Sequence, residues 1–141
     1  MIRFIGKNES EIDTFITPLT FIHFLSGLYI TYGLKYMKKS DVFAFLVYNF
    51  IHLVYEIKDY ILTYYYKKSR SYENNKPNIL YNSYTNSLGD MIFGLLGSLL
   101  IIYLIQYDNK ILTKNNLLVF TLVSMMITLS FVFGSSKYNI A

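Results

Sequence analysis

Apolar residues in this chain do not recur at strand or amphipathic-helix intervals; they run together in four long stretches broken by short polar ones. Runs of this kind read as helices that are apolar all round, the pattern of membrane-spanning segments. The first covers about residues 15–34, follows the acidic cluster Glu9, Glu11 and Asp13, and stops at Lys35-Tyr36-Met37-Lys38-Lys39. At roughly 20 residues it matches a hydrocarbon core about 30 Å thick. A cleaved signal peptide has a shorter apolar region and a small-residue cleavage site, so this segment is expected to stay in the mature protein.

The second run, about residues 42–64, encloses Glu56, Lys58 and Asp59 and ends in Tyr64-Tyr65-Tyr66-Lys67-Lys68, an aromatic belt followed by bases that reach for the interface. A polar loop at 69–86, rich in Asn, Ser, Lys and Tyr and carrying Pro77, comes next. The third run, about 88–107, and the fourth, about 117–133, are almost wholly Leu, Ile, Val, Phe and Met, with a polar break at 108–116. The expectation is an all-α, single-domain integral membrane bundle of about four transmembrane helices, which places both termini on one side. No internal repeat of 20 to 50 residues is visible.

Composition and charge agree with this class. Hydrophobic residues make up 53% of the 141 and charged residues 16%. Of the 13 bases, nine lie at the ends of the apolar runs: Lys35, Lys38, Lys39, Lys67, Lys68, Arg70, Lys110, Lys114 and Lys137. The net charge of +4 therefore reads as anchoring against anionic headgroups, with membrane lipids as partners and no nucleic acid. Seven bases fall in the N-terminus, middle loop and C-terminus against five in the other two loops, which favours cytoplasmic termini. The Asn8-Glu9-Ser10 glycosylation triplet is discounted as a chance match. Cysteine is absent, which excludes disulfides, thiol nucleophiles and thiolate-bound metal. Which membrane holds the chain and its oligomeric state stay open.

Candidate chemistry lies on three helical stripes. Asn49, His52, Glu56, Asp59 and Thr63 are spaced 3, 4, 3 and 4 on the second run and share one face, with Lys58 off it. Ser83, Asn86, Asp90, Gly94 and Gly97 form a polar patch leading into a small-residue face on the third, and Thr20, His23 and Gly27 form a shorter stripe on the first. Small faces let helices approach closely. The first run enters the membrane near His23, the second returns to that side with Glu56 and Asp59, and the third starts there at Asn86, so all three patches belong to one leaflet. A charge at mid-membrane costs about 2.5–3.5 kcal/mol, so Glu56, Asp59 and Asp90 are expected to face each other, a histidine or a watery cavity.

The expected site is therefore His23, His52, Glu56, Asp59, Asn86, Ser87 and Asp90. The competing reading is that these groups only hydrogen-bond helices together, at about 0.6–2 kcal/mol each. Two histidines are too few for membrane di-iron oxygenases. The pairings of lipid phosphatases, a Gly-x-Ser-x-Gly elbow, a His-Glu-x-x-His motif and a Gly-rich phosphate loop are all missing. Acid/base work by His52 with Glu56, or a mixed histidine and carboxylate metal site, remains, and no cofactor is specified. An ion path is disfavoured because the fourth run offers only Thr121, Ser124 and Thr128.

His23-Phe-Leu-Ser-Gly27, His52-Leu-Val-Tyr-Glu56, and Asn86-Ser87-Leu-Gly-Asp90 leading into Gly94-Leu-Leu-Gly97 resemble the VanZ-like membrane proteins and their small bacterial relatives. The similarity covers about residues 17–100. It implies a compact helical bundle with a polar pocket near one surface. The chain departs from that pattern at Asp59, at Phe24 after His23, and in lacking a basic residue before the Asp motif. Together these features predict a pocket that binds or modifies an amphipathic or lipid-linked substrate, against the alternative of a structural or scaffolding membrane protein.

Overall fold

The computed structural model describes residues 3–5, 14–68 and 84–138, and it is all-α apart from one small strand pair. Strands β1 (Arg3–Ile5) and β2 (Thr14–Ile16) pair in parallel, with Arg3 opposite Thr14 and Ile5 opposite Ile16. Four helices follow: α1 (Pro18–Tyr36), α2 (Asp41–Lys68), α3 (Tyr84–Tyr107) and α4 (Lys114–Tyr138), with a 3-10 turn at Asn109–Ile111. The strand was not legible in the apolar run. The first helix begins at residue 18 rather than 15 because Thr17 and Pro18 set its start: proline suits the first helical position, and the Thr17 N–H donates to Thr20 Oγ1 at 3.0 Å. Tyr84, Thr85 and Asn86, expected to close the polar loop, form the first turn of α3. The rest of that loop, with Arg70, Lys76, Pro77 and Ser83, lies outside the described residues, as do the acidic cluster Glu9, Glu11 and Asp13 and the side chains of Thr63 and Tyr64 to Tyr66.

Short connections turn the chain back between α1 and α2 and between α3 and α4. At the end of α1 Lys38 takes a left-handed φ of 59°, and the Lys39 N–H returns to the Leu34 carbonyl at 3.1 Å, closing the helix. Ser40 then caps α2 by accepting from the Phe43 N–H at 3.2 Å. Lys35 pairs with Asp41 across this turn, and Gln106 Nε2 donates to Asp41 Oδ2 at 2.8 Å, tying the start of α2 to the end of α3. Lys35, and then Gln106, hold the Asp41 carboxyl below the usual carboxylate range.

The most extensive helix pair is α1 with α3. A Cβ on Gly27 would collide with the Gly94 carbonyl, and one on Gly97 with the Phe24 carbonyl, so the two backbones touch through bare glycine. Thr31 Oγ1 and Ser98 Oγ, both fully buried, hydrogen-bond at 2.8 Å one turn further along. Gly89 lies against the Phe15 carbonyl, which seats β2 on the start of α3.

At the other end, Tyr32, Ile101 and Ile105 form a small apolar core packed by Leu28, Leu117 and Phe120. The Tyr32 hydroxyl lies 2.8 Å and 2.9 Å from the Ile111 and Thr113 carbonyls and accepts from the Thr113 N–H at 3.1 Å, so one side chain holds the α3–α4 turn. Tyr32→Phe is expected to destabilise the protein by about 1–3 kcal/mol, since it strips a donor from carbonyls at the core's edge. Thermal unfolding in detergent measures this, and an unchanged midpoint would show that the turn is held by other contacts.

Burial is inverted relative to a water-soluble domain. Among the described residues the buried apolar side chains are Tyr32, Ala44, Tyr48, Ile101 and Ile105, whereas nine buried residues are polar or charged. One described helix, α3, is both long and apolar enough to cross a membrane, and α4 contributes a shorter apolar segment, Lys114–Ile127.

Candidate functional site

His23 sits less than two turns into α1, Glu56 three turns before the end of α2, and Asp90 less than two turns into α3. Because neighbouring helices alternate in direction, these positions come to one level. His23 Nδ1 and His52 Nε2 are 2.8 Å apart. Glu56 Oε1 lies 3.6 Å from His23 Nδ1 and 3.4 Å from His52 Nε2. On the far side of the His23 ring, Nε2 faces Asp90 Oδ2 at 3.6 Å, a separation short enough for charge attraction and too long for a hydrogen bond. His52, Glu56 and Asp90 are buried, and His23 is partly so.

Tyr48 completes the cluster, and the sequence stripe passed over it. It lies four residues before His52, the same helical spacing that links His52 to Glu56, but a tyrosine in an apolar run carries no signal of its own. Its hydroxyl lies 3.1 Å from the His23 carbonyl as donor, 2.9 Å from Ser26 Oγ and 3.4 Å from His52 Nδ1. Ser26 Oγ donates to the same carbonyl at 2.8 Å.

These contacts constrain the protons. With the Tyr48 proton on the His23 carbonyl, its oxygen is free to accept from a His52 Nδ1–H. His52 Nε2 is then bare and accepts from a His23 Nδ1–H, while Asp90 Oδ2 stands within charge attraction of His23 Nε2 at 3.6 Å.

Gly94 makes room for this arrangement. A Cβ there would lie 2.5 Å from His52 Nδ1 and from the Tyr48 hydroxyl. The small face expected for packing is thus divided: Gly97 serves the backbone approach of α1, and the Cα of Gly94 leaves space for the α2 side chains.

The remaining expected residues are placed differently. Asn86 is buried in the first turn of α3, and the Ser87 hydroxyl is turned toward Glu56 without reaching hydrogen-bond geometry. Asp59 stands apart: its side chain is one-third exposed and pairs with Lys58 Nζ at 2.9 Å. Asn49 donates to the Phe45 carbonyl of its own helix at 2.8 Å.

Among the described residues, clefts open on the helix surfaces in two places. One, of about 400 Å³, lies between α2 and α3 and is walled by Leu46, Phe50, Leu53, Leu88, Met91, Ile92 and Leu95, with Asn49 and His52 as its polar members. The other, about 460 Å³, lies between α1 and α4 and includes Ser26, Tyr29, Thr121 and Ser124. Glu56 and Asp90, expected on a pocket wall, line neither; the cluster reaches the first cleft through His52.

The donors present are imidazole nitrogens and carboxylate oxygens, a set able to pass protons, hold a polar headgroup or coordinate a metal. No protein-family model, curated protein or solved structure matches this chain.

Proposed function

We propose that the chain is a multi-pass integral membrane protein of four transmembrane helices, and that its polar cluster at one leaflet binds or modifies an amphipathic or lipid-linked substrate. The observation that carries this reading is the apolar cleft between α2 and α3, whose polar members are Asn49 and His52. Such a shape suits a ligand with an acyl-like body and a polar head. The exterior supports the membrane setting: Leu46, Phe50, Val54, Ile57 and Ile61 of α2 are each close to half exposed or more, an apolar face that water does not favour. Buried carboxylates and histidines inside such an exterior are functional by default. The VanZ-like resemblance of the His23, Glu56 and Asp90 segments belongs to the same proposal.

A second reading, a structural or scaffolding protein, draws support from the pairing of polar groups with each other, as between His23 and His52 and between Thr31 and Ser98. Unpaired polar groups in hydrocarbon cost several kcal/mol, so mutual pairing is what fastening requires.

Topology is tested first. The chain has no native cysteine, so Ile5→Cys and Tyr138→Cys each give a single-site probe. A membrane-impermeant thiol reagent is expected to reach both from the same side. Labelling from opposite sides would mean an odd number of spans and would overturn the four-span reading.

A further inference from the structure

We propose that His23, His52 and Glu56 form a binding site for one divalent transition-metal ion of the zinc type, held by His23 Nδ1, His52 Nε2 and Glu56 Oε1. The inference rests on reading this cluster as a ligand site and adds the ligand's chemical class. The three donor atoms are 2.8, 3.4 and 3.6 Å apart. A triangle with these edges has its centre about 1.9 Å from every corner, while zinc lies about 2.0–2.2 Å from imidazole nitrogen and carboxylate oxygen. An ion seated slightly above the plane of the three atoms therefore meets all of them without a backbone shift. The two rings stack with centroids 4.9 Å apart and lie 20° from parallel, which holds the two nitrogens side by side.

What surrounds the donors fits the same purpose. A metal-bound histidine commonly gives its other ring N–H to a carboxylate or another acceptor, which fixes the tautomer and orients the ring. Each histidine here has such a neighbour on its other nitrogen: Asp90 Oδ2 at 3.6 Å from His23 Nε2, and the Tyr48 hydroxyl at 3.4 Å from His52 Nδ1. The Asp90 carboxyl has the Thr20 side chain beside it as a hydrogen-bond partner. It is 2% exposed, and its Oδ1 has no hydrogen-bond partner among the described residues. Such a buried oxygen costs free energy unless a cationic site beside it offsets the loss of water.

Charge balances as well. A divalent ion with the carboxylates of Glu56 and Asp90 sums to zero, which is the arrangement a low-dielectric interior tolerates best. Three protein donors leave a fourth position open, as in catalytic rather than structural zinc sites, and one of the donors, His52, lines the α2–α3 cleft. The chain has no thiolate, so its nitrogen and oxygen donors suit zinc, cobalt or ferrous iron better than a copper(I) or iron–sulfur centre. On binding, the ion takes the place of the proton shared by His23 Nδ1 and His52 Nε2, and that proton leaves to solvent.

The test uses the full chain, purified in detergent, treated with a chelator, desalted and titrated with Zn²⁺ or Co²⁺. About one ion per chain is expected, with proton release on uptake and a visible cobalt absorption band of low symmetry. His52→Ala and Glu56→Gln are expected to abolish saturable uptake. Asp90→Asn, which acts through His23, is expected to weaken affinity about 10- to 100-fold while keeping the stoichiometry. Asp41→Asn, a carboxylate removed at the opposite end of α2, is expected to leave uptake unchanged. Circular dichroism verifies that each variant is helical, and the shape-preserving Glu56→Gln and Asp90→Asn carry the test if the alanine variant does not fold. No saturable uptake, or uptake equal in wild type, Glu56→Gln and Asp90→Asn, overturns the proposal. Retention of amphipathic ligand by chelator-treated protein distinguishes the two readings: retention without metal uptake removes the metal alone, and metal uptake without any retained amphipath removes the substrate class alone.

Discussion

Gly27→Leu and Gly97→Leu are each expected to cost more than about 3 kcal/mol, enough to separate α1 from α3 in a protein of ordinary stability. The reason is the identity of the colliding atoms. A Cβ at Gly27 would meet the carbonyl of Gly94, and one at Gly97 the carbonyl of Phe24, and backbone cannot turn away as a side chain can. Even alanine forces the helices apart, which also stretches the Thr31–Ser98 hydrogen bond. Gly94→Ala is the informative contrast, because there the obstructing atoms belong to His52 and Tyr48 and those rings can rotate. It should leave the fold nearly intact and displace the His52 ring. Thermal unfolding in detergent, followed by helicity, gives the order expected: Gly27 and Gly97 variants far below wild type, Gly94→Ala close to it. Equal and small effects at all three positions would mean that α1 and α3 do not touch through glycine.

Glu56→Gln and Asp90→Asn should each lower retention of a co-purifying amphipathic ligand tenfold or more with the protein still folded, whereas Asp59→Asn should behave as wild type. The three carboxylates differ in surroundings rather than in sequence context. Glu56 faces both histidine nitrogens within 3.6 Å, and Asp90 faces the third ring nitrogen at the same distance. Asp59 is one-third exposed and salt-bridged to Lys58 at its own helix surface, where such pairs contribute at most about 1 kcal/mol. Native mass spectrometry of the detergent-purified variants reads the retained ligand directly. If Asp59→Asn proved as damaging as Glu56→Gln, the site would extend a turn further toward the loop. If all three were silent, the cluster would be a fastening and the structural reading would stand.

Where the sequence succeeded, the governing physics was local. Apolar run length fixed four helices, and the i, i+4 spacing of His52 and Glu56 put both on one face, because helical period is independent of what packs outside. Matching depths along alternating helices place His23, Glu56 and Asp90 at one level. Gly94 and Gly97 announced a close approach, since a small face on an apolar helix has little other use.

The tertiary structure decided what depends on how each helix is rotated about its axis. That rotation is set for α1 and α3 by the contacts of Gly27 and Gly97, and for α2 by the space that Gly94 leaves for His52 and Tyr48, partners that no periodicity reveals. It brings His23 Nδ1 within 2.8 Å of His52 Nε2 across 29 residues of chain, draws Tyr48 in as a partner, and leaves Asp59 to Lys58. The strand pair that precedes α1 and the hold of Tyr32 on the α3–α4 turn belong to the same class. Each joins residues far apart in sequence through backbone groups, which every residue carries alike, so side-chain identity along the chain could not point to them.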